Sequence, residues 1–164
     1  DYGDYFAWGE VEPKEYYYWS RYKYGTNDDQ LTKYCSNSDY GKDGFTDNKT
    51  VLDPEDDAAH VNWGGAWRMP TKAEQDELRN NCTWDWTTQN GVNGYKVTGP
   101  NGNSIFLPAA GSMESSTLYN AGENGHYWSS SLNTDYPDCA YYIYFLGRSL
   151  GSRFVGKLVR PVCQ

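Results

Sequence analysis

Four cysteines and two histidines are the residues best able to do covalent or metal chemistry in this chain, and their placement argues against both. Cys35, Cys82, Cys139 and Cys163 stand far apart with no CxxC pair, whereas thiolate zinc sites need closely paired ligands. One or two disulfides in an oxidising compartment suit that spacing better than buried thiols in a reducing one, although spacing alone does not report redox state. His60 falls in a helical pattern and His126 beside a glycine turn. Neither accompanies a nucleophile elbow such as GxSxG, so both read as structural. The sequence contains no P-loop, no GxGxxG fingerprint and no HExxH helix. Acidic residues are numerous, but the separation that an acid–base pair requires cannot be read from their order. The chain therefore reads as non-enzymatic, with no catalytic residue, no cofactor and no metal.

Its other chemical resource is aromatic: 16 Tyr, 7 Trp and 5 Phe, each able to bury a large area at one position. Residues 136–155, YPDCAYYIYFLGRSLGSRFV, concentrate them. Period-two alternation places Tyr141, Ile143 and Phe145 on one face, read as core, and Tyr142, Tyr144 and Leu146 on the other, read as solvent-facing. Arg148, Leu150, Ser152, Phe154 and Val155 follow in a loop and return strand, and Tyr136 and Asp138 precede. Together these ten are the candidate ligand contacts, because an exposed Tyr, Leu, Phe and Arg patch has the composition of a binding surface. The competing reading makes the aromatics a second buried face against the N-terminal segment.

The elements that must position this stretch follow from turn and capping signals. Residues 1–52 form an aromatic wrap with Trp8 and Trp19 as anchors, then a long polar connection from residue 25. Residues 53–82 hold two short helices, one opened by Asp53-Pro54-Glu55-Asp56 and one by the capping box Thr71-Lys72-Ala73-Glu74. Capping and dipole chemistry account for those acids. From residue 84 short strands are expected at Gly94–Val97, Ile105–Leu107, Tyr127–Ser130, Ala140–Phe145 and Leu158–Val162. Asn90-Gly91, Asn93-Gly94 and Asn101-Gly102 are the expected turns among the earlier ones. The class is α+β: two short helices and several short, mainly antiparallel strands with long loops, in one domain over 1–164.

A net charge of −8 argues against a nucleic-acid partner, whose affinity rests on Lys and Arg. No run approaches the roughly 18 apolar residues of a membrane span, so no direct membrane insertion is expected in this segment. The chain opens on Asp1, not Met, and an upstream leader or anchor is expected.

Five ordered motifs carry a resemblance over nearly the whole chain: Tyr5-Phe-Ala-Trp-Gly-Glu10, Trp63-Gly-Gly-Ala-Trp-Arg-Met-Pro-Thr-Lys-Ala-Glu74, Ile105-Phe-Leu-Pro-Ala-Ala-Gly111, Tyr127-Trp-Ser-Ser-Ser131 and Val159-Arg-Pro-Val162. They resemble the Fibrobacter succinogenes major paralogous domain family of Bacteroidetes surface proteins and lipoproteins. Arg68 to Glu74 is also similar to the second-helix entrance of formylglycine-generating-enzyme-like domains, whose catalytic cysteine pair has no counterpart here. The resemblance implies a C-type-lectin-like fold at the cell surface or outside the cell, binding an unidentified protein or glycan. Calcium-dependent sugar binding is not implied, since the Glu-Pro-Asn and Trp-Asn-Asp runs are missing and no EF-hand spacing occurs. Some lectin-like relatives resemble variable proteins of diversity-generating retroelements, and residues 136–155 lack Lys, Glu, Gln, Met and Trp, as codon-directed diversification would leave them. A structural or adhesive domain of a larger surface protein and a calcium-independent glycan binder are the alternatives. The implied fold also brings Cys82 beside Cys163, leaves Cys139 unpaired, and gathers Trp63, Trp67, Trp128 and Ile105–Leu107 into one core.

Overall fold

A computed structural model describes residues 2–163. Its elements are α+β, with two helices and ten short strands that pair antiparallel in four small sheets. The N-terminal wrap and the connection to residue 52 contain only short 3-10 turns and isolated bridges, as the dense Gly, Asn, Asp and Ser content requires.

Asp53-Pro54-Glu55-Asp56 forms a 3-10 turn and does not open a helix. The true cap is Asp57, whose carboxylate accepts from the backbone N–H groups of Ala59 and His60 and so starts α1, Ala58–Trp63. The same carboxylate accepts from Met69 N, which ties α1 to the short strand β1, Trp67–Arg68. The second helix, α2 over Lys72–Asn81, begins where its capping box predicts: Thr71 Oγ1 accepts from Glu74 N at 3.3 Å and Glu74 Oε2 accepts from Thr71 N at 2.8 Å.

Strands β2 (Thr83–Gln89), β3 (Val92–Thr98) and β4 (Ser104–Pro108) form a meander. Asn90 and Gly91, both at positive φ, make the tight turn between the first two, and Asn101-Gly102 lies in the second connection. Asn93-Gly94 is not a turn. It lies inside β3, where a Cβ on Gly94 would stand 2.3 Å from the Leu107 carbonyl oxygen of β4, so the glycine serves close strand approach. Strands β5 (Ala110–Glu114) and β6 (Thr117–Ala121) form a hairpin. The last large sheet is β7 (His126–Leu132), β8 (Cys139–Tyr144) and β9 (Gly147–Ser152), and β10 (Val162–Cys163) returns to pair with β1. Of the expected final strand Leu158–Val162, only Val162 belongs to β10, and Leu158 makes a single bridge to Tyr127.

The core divides across the β7–β9 sheet. On one side Trp8, Tyr34, Met69, Trp128 and Ala140 pack together, and on the other Val97, Leu107, Tyr127, Ile143 and Leu158 do. A third cluster joins Tyr17 and Tyr22 to Trp19, Met113 and Phe154. The single core expected around Trp63, Trp67 and Trp128 does not form. Trp128 and Leu107 fall in different clusters, and Trp63 and Trp67 are 51% and 40% exposed because α1 ends and β1 pairs at the surface.

The bridge expected between Cys82 and Cys163 is likewise absent: Cys82 is a free thiol at the end of α2, while Cys163 sits across from Trp67 in the β1–β10 pair. Cys139 is an unbridged buried thiol, as expected.

Candidate functional site

The candidate stretch forms the hairpin β8–β9, and its turn length decides which side chains share a face. Only Phe145 and Leu146 separate the strands, and the register pairs Tyr144 with Gly147, Ile143 with Arg148, Tyr142 with Ser149 and Tyr141 with Leu150. Even positions on β8 therefore face odd positions on β9. Arg148 and Leu150 lie on the face of Tyr141 and Ile143, not on that of Tyr142 and Tyr144. The ten candidate contacts do not form one contiguous surface.

On the first face, α2 covers the sheet. The Lys72 ammonium lies 4.5 Å from the Tyr141 ring centroid and the Arg148 guanidinium 5.5 Å from it, and Arg148 pairs with Asp76 at 3.0 Å. Leu150 is exposed beside them.

On the opposite face Tyr142 is packed and half-buried, not a free solvent-facing ring. It meets Trp128 edge-on at 5.7 Å, stacks on His126 at 5.4 Å, and has the Lys157 ammonium 4.2 Å from its centroid. Tyr144, also half-buried, tilts against it at 6.1 Å. Gly151 provides the room, since a Cβ there would approach the Tyr142 ring to 3.0 Å and Lys157 Cε to 3.2 Å. Burial holds Lys157 down at about 8 against an opposing pull from Glu114. Burial, helped by the Lys157 charge, holds His126 down at about 4, and both its ring nitrogens are buried without hydrogen-bond partners among the described residues. Phe154 also packs inward, 5.2 Å from Trp19 in the third cluster. For Tyr142 and Phe154 the second-buried-face reading holds.

The hairpin tip is different. Phe145 sits 4.8 Å from Tyr95 and 6.0 Å from Trp86, and those two rings lie 5.1 Å apart, so the turn caps an aromatic platform on β2 and β3. Asn124 Oδ1 accepts from Phe145 N at 3.0 Å and fixes the turn. Leu146 is 80% exposed and Trp86 47% exposed. Trp86 and Tyr95 were not among the expected site residues. The signal for Trp86 was the alternation Thr83-Trp84-Asp85-Trp86-Thr87, a period-two strand pattern.

The other candidate contacts scatter. Tyr136 is exposed in the loop before β8, its N–H donating to Asn133 Oδ1 at 2.9 Å. Asp138 is half-buried and accepts from the Cys139 thiol at 3.4 Å. Burial first, and then the Asp138 charge, push that thiol up to about 12, so it stays protonated at neutral pH and is a poor nucleophile. Ser152, half-buried, pairs with Cys139 across the hairpin, and Val155 is half-buried in the turn that follows.

A second charged cluster lies far along the chain. Asp53, Glu55 and Asp56 bring carboxylate oxygens within 4.8 Å of one another, a spacing that could hold a cation. Lys33 already serves that role, with its ammonium at 2.9, 3.6 and 2.7 Å from the three acids. Asp56 also accepts from Tyr24, Tyr34 and Lys23. Burial works to raise Asp56, but these donors hold its carboxyl at about 2.

No family model, curated protein or solved structure matches the chain. The case for a site thus rests on geometry: a hairpin whose first strand, β8, is packed on both faces, with Leu146 exposed at its tip.

Proposed function

We propose that this chain is a non-enzymatic recognition module of C-type-lectin-like fold, carried on or secreted from a bacterial cell. It binds a protein or glycan through the tip of the β8–β9 hairpin and the aromatic platform beside it. The observation that carries this reading is Leu146, 80% exposed at the end of a hairpin whose base is packed on both sides. A rigid mount for an exposed apolar group lowers the ordering cost of binding, and Trp86 and Phe145 next to it supply ring area at little entropic cost. Any diversification of residues 136–155 is confined by burial to positions such as Tyr136, Leu146, Arg148 and Leu150, since Pro137, Ala140, Ile143 and Arg153 are buried.

A glycan array probed with the parent chain, followed by its hits probed with Leu146→Asp and Trp86→Ala, tests the reading. Both variants should melt with the parent and bind about tenfold or more weakly, as loss of a central anchor does. Hits that hold both variants as tightly as the parent would place the site elsewhere.

A further inference from the structure

Strand β2 is the outer strand of the β2–β4 meander, paired with β3 along one side and with no strand along the other among the described residues. Which of its backbone groups lack partners follows from the ladder. Ala109 N donates to the Asn93 carbonyl and Gly99 N to the Asn103 carbonyl, so odd residues of β3 bond toward β4 and even ones toward β2. The register then turns Thr83, Asp85, Thr87 and Gln89 inward and leaves the N–H and C=O groups of Trp84, Trp86 and Thr88 pointing outward. None of these outward groups has a partner among the described residues. Thr83, Asp85, Trp86, Thr88 and Gln89 are exposed, so the edge is open to solvent.

Natural sheets guard such edges with Lys, Pro, bulges or inward-pointing charges. Strand β2 has none of these: its ladder is unbroken, and its single charge, Asp85, lies on the face away from the Trp86, Tyr95 and Phe145 rings. A row of alternating donors and acceptors is complemented by another extended backbone. We infer that β2 is the docking edge for an extended segment of a partner protein, which adds to this sheet as a fourth strand. In antiparallel addition, residues bonding to Trp84, Trp86 and Thr88 place their side chains on the Trp86 face, and the residues between them lie beside Asp85. The first set is apolar and extends the aromatic platform. The second is basic, because Asp85 makes no ion pair with its register partner Lys96 or any other described residue. A net charge of −8 likewise attracts a cationic segment and opposes pairing with a second copy of this chain. The inference rests on the aromatic platform of the hairpin-tip reading and narrows its partner to a protein, but it does not depend on Leu146.

The probe is a short capped peptide of alternating Lys and Val, compared with the same peptide N-methylated at each Val. Methylation keeps charge and side chains and removes the N–H groups directed at β2. In the whole chain alone, the amides of Trp84, Trp86 and Thr88 should exchange with solvent unprotected, while those of Asp85 and Thr87 are protected. The unmethylated peptide at about 1 mM should slow the first three by about tenfold, and the methylated one should not. Thr88→Pro removes one outward donor and sets a ring on the edge, so it should weaken that slowing. If it melts below the parent, the two peptides on the parent chain still decide. Leu146→Asp leaves β2 intact and should preserve the slowing. Protected Trp86 and Thr88 amides in the chain alone, equal slowing by both peptides, or slowing by neither would each overturn the docking edge. A tip that proves dispensable, with Leu146→Asp holding its ligands as tightly as the parent, would leave a positive result standing.

Discussion

His126 has two buried ring nitrogens and no partner for either among the described residues, so its neutral form is the one the fold accepts. Its pKa falls from 6.5 to about 4 through burial and then the Lys157 charge. A histidine depressed in the folded state contributes stability that is fully present above the unfolded value and is lost as pH falls from about 6.5 to about 4, on the order of 2 kcal/mol once the ring's partial exposure is allowed for. Urea melts at pH 7 and pH 4.5 should show that loss, and His126→Phe, which keeps the stack on Tyr142, should remove most of it. A parent whose stability is flat over this window would show that the imidazole has found a partner. Trp128, fully buried with its indole N–H on the Phe6 carbonyl at 2.9 Å, should cost about 3–5 kcal/mol on replacement by Ala, read as a drop in the urea midpoint. Trp128, Trp8 and the Thr71–Glu74 box were legible because large rings and caps carry their own signal. The exposure of Trp63 and Trp67 was not, since hydrophobic type does not say which Trp the fold can cover. Asp56 was hidden as well, because its partners Lys23, Tyr24, Lys33 and Tyr34 are distant in sequence.

The β8–β9 hairpin shows why an element can be read correctly and its faces misread. Alternation over residues 140–145 does mark a strand, but period two separates core from solvent only when one face is wet. Here it separates one core from another, Trp128 and Ala140 on one side and Tyr127 and Ile143 on the other. The β9 register depends on a turn of two residues that carries no Gly, Asn or Pro, so nothing local announced it. Strands β5 and β6 were passed over for a related reason: Gly111, Ser112 and Glu114 interrupt the first and Asn120 the second, and pairing partners, not propensity, hold them extended. The two kinds of position on this element should separate in thermal melts. Tyr142→Ala, which strips a ring from Trp128, His126 and Lys157, should destabilise by about 2 kcal/mol, whereas Leu146→Ala should stay within about 0.5 kcal/mol of the parent. Equal melts would return Tyr142 to the exposed face.

Across the whole molecule, a fully buried cation, Arg153, is among the groups that join the N-terminal wrap to the C-terminal third. Arg153 is fully buried and has no carboxylate partner in its hydrogen-bond set. Its guanidinium donates instead to the Tyr22 hydroxyl at 2.9 Å, to the Tyr34 and Pro137 carbonyls at 3.1 and 2.9 Å, and to the Lys33 carbonyl at 2.9 Å. Trp8, Tyr22 and Tyr34 surround it with ring centroids at 5.0, 5.3 and 5.9 Å. Its backbone adds bonds to Trp8 N and from its own N–H to the Asp138 carbonyl. The polar connection of residues 25–52 has few apolar groups with which to hold itself, so this fork substitutes for a core at that end of the fold. Only a planar group with donors in several directions can reach those acceptors at once, which is why a lysine would not replace it. Arg153→Lys should therefore lose about 3–5 kcal/mol, comparable to Arg153→Met, because either change strands buried carbonyls. It should also loosen residues 22–34 before the β2–β4 meander, with amide exchange rising first in that segment. An Arg153→Lys variant that melts with the parent would mean that aromatic packing and backbone hydrogen bonds such as Trp8 N to the Arg153 carbonyl hold the wrap without the guanidinium fork. Arg153 would then join the replaceable positions of the 136–155 stretch.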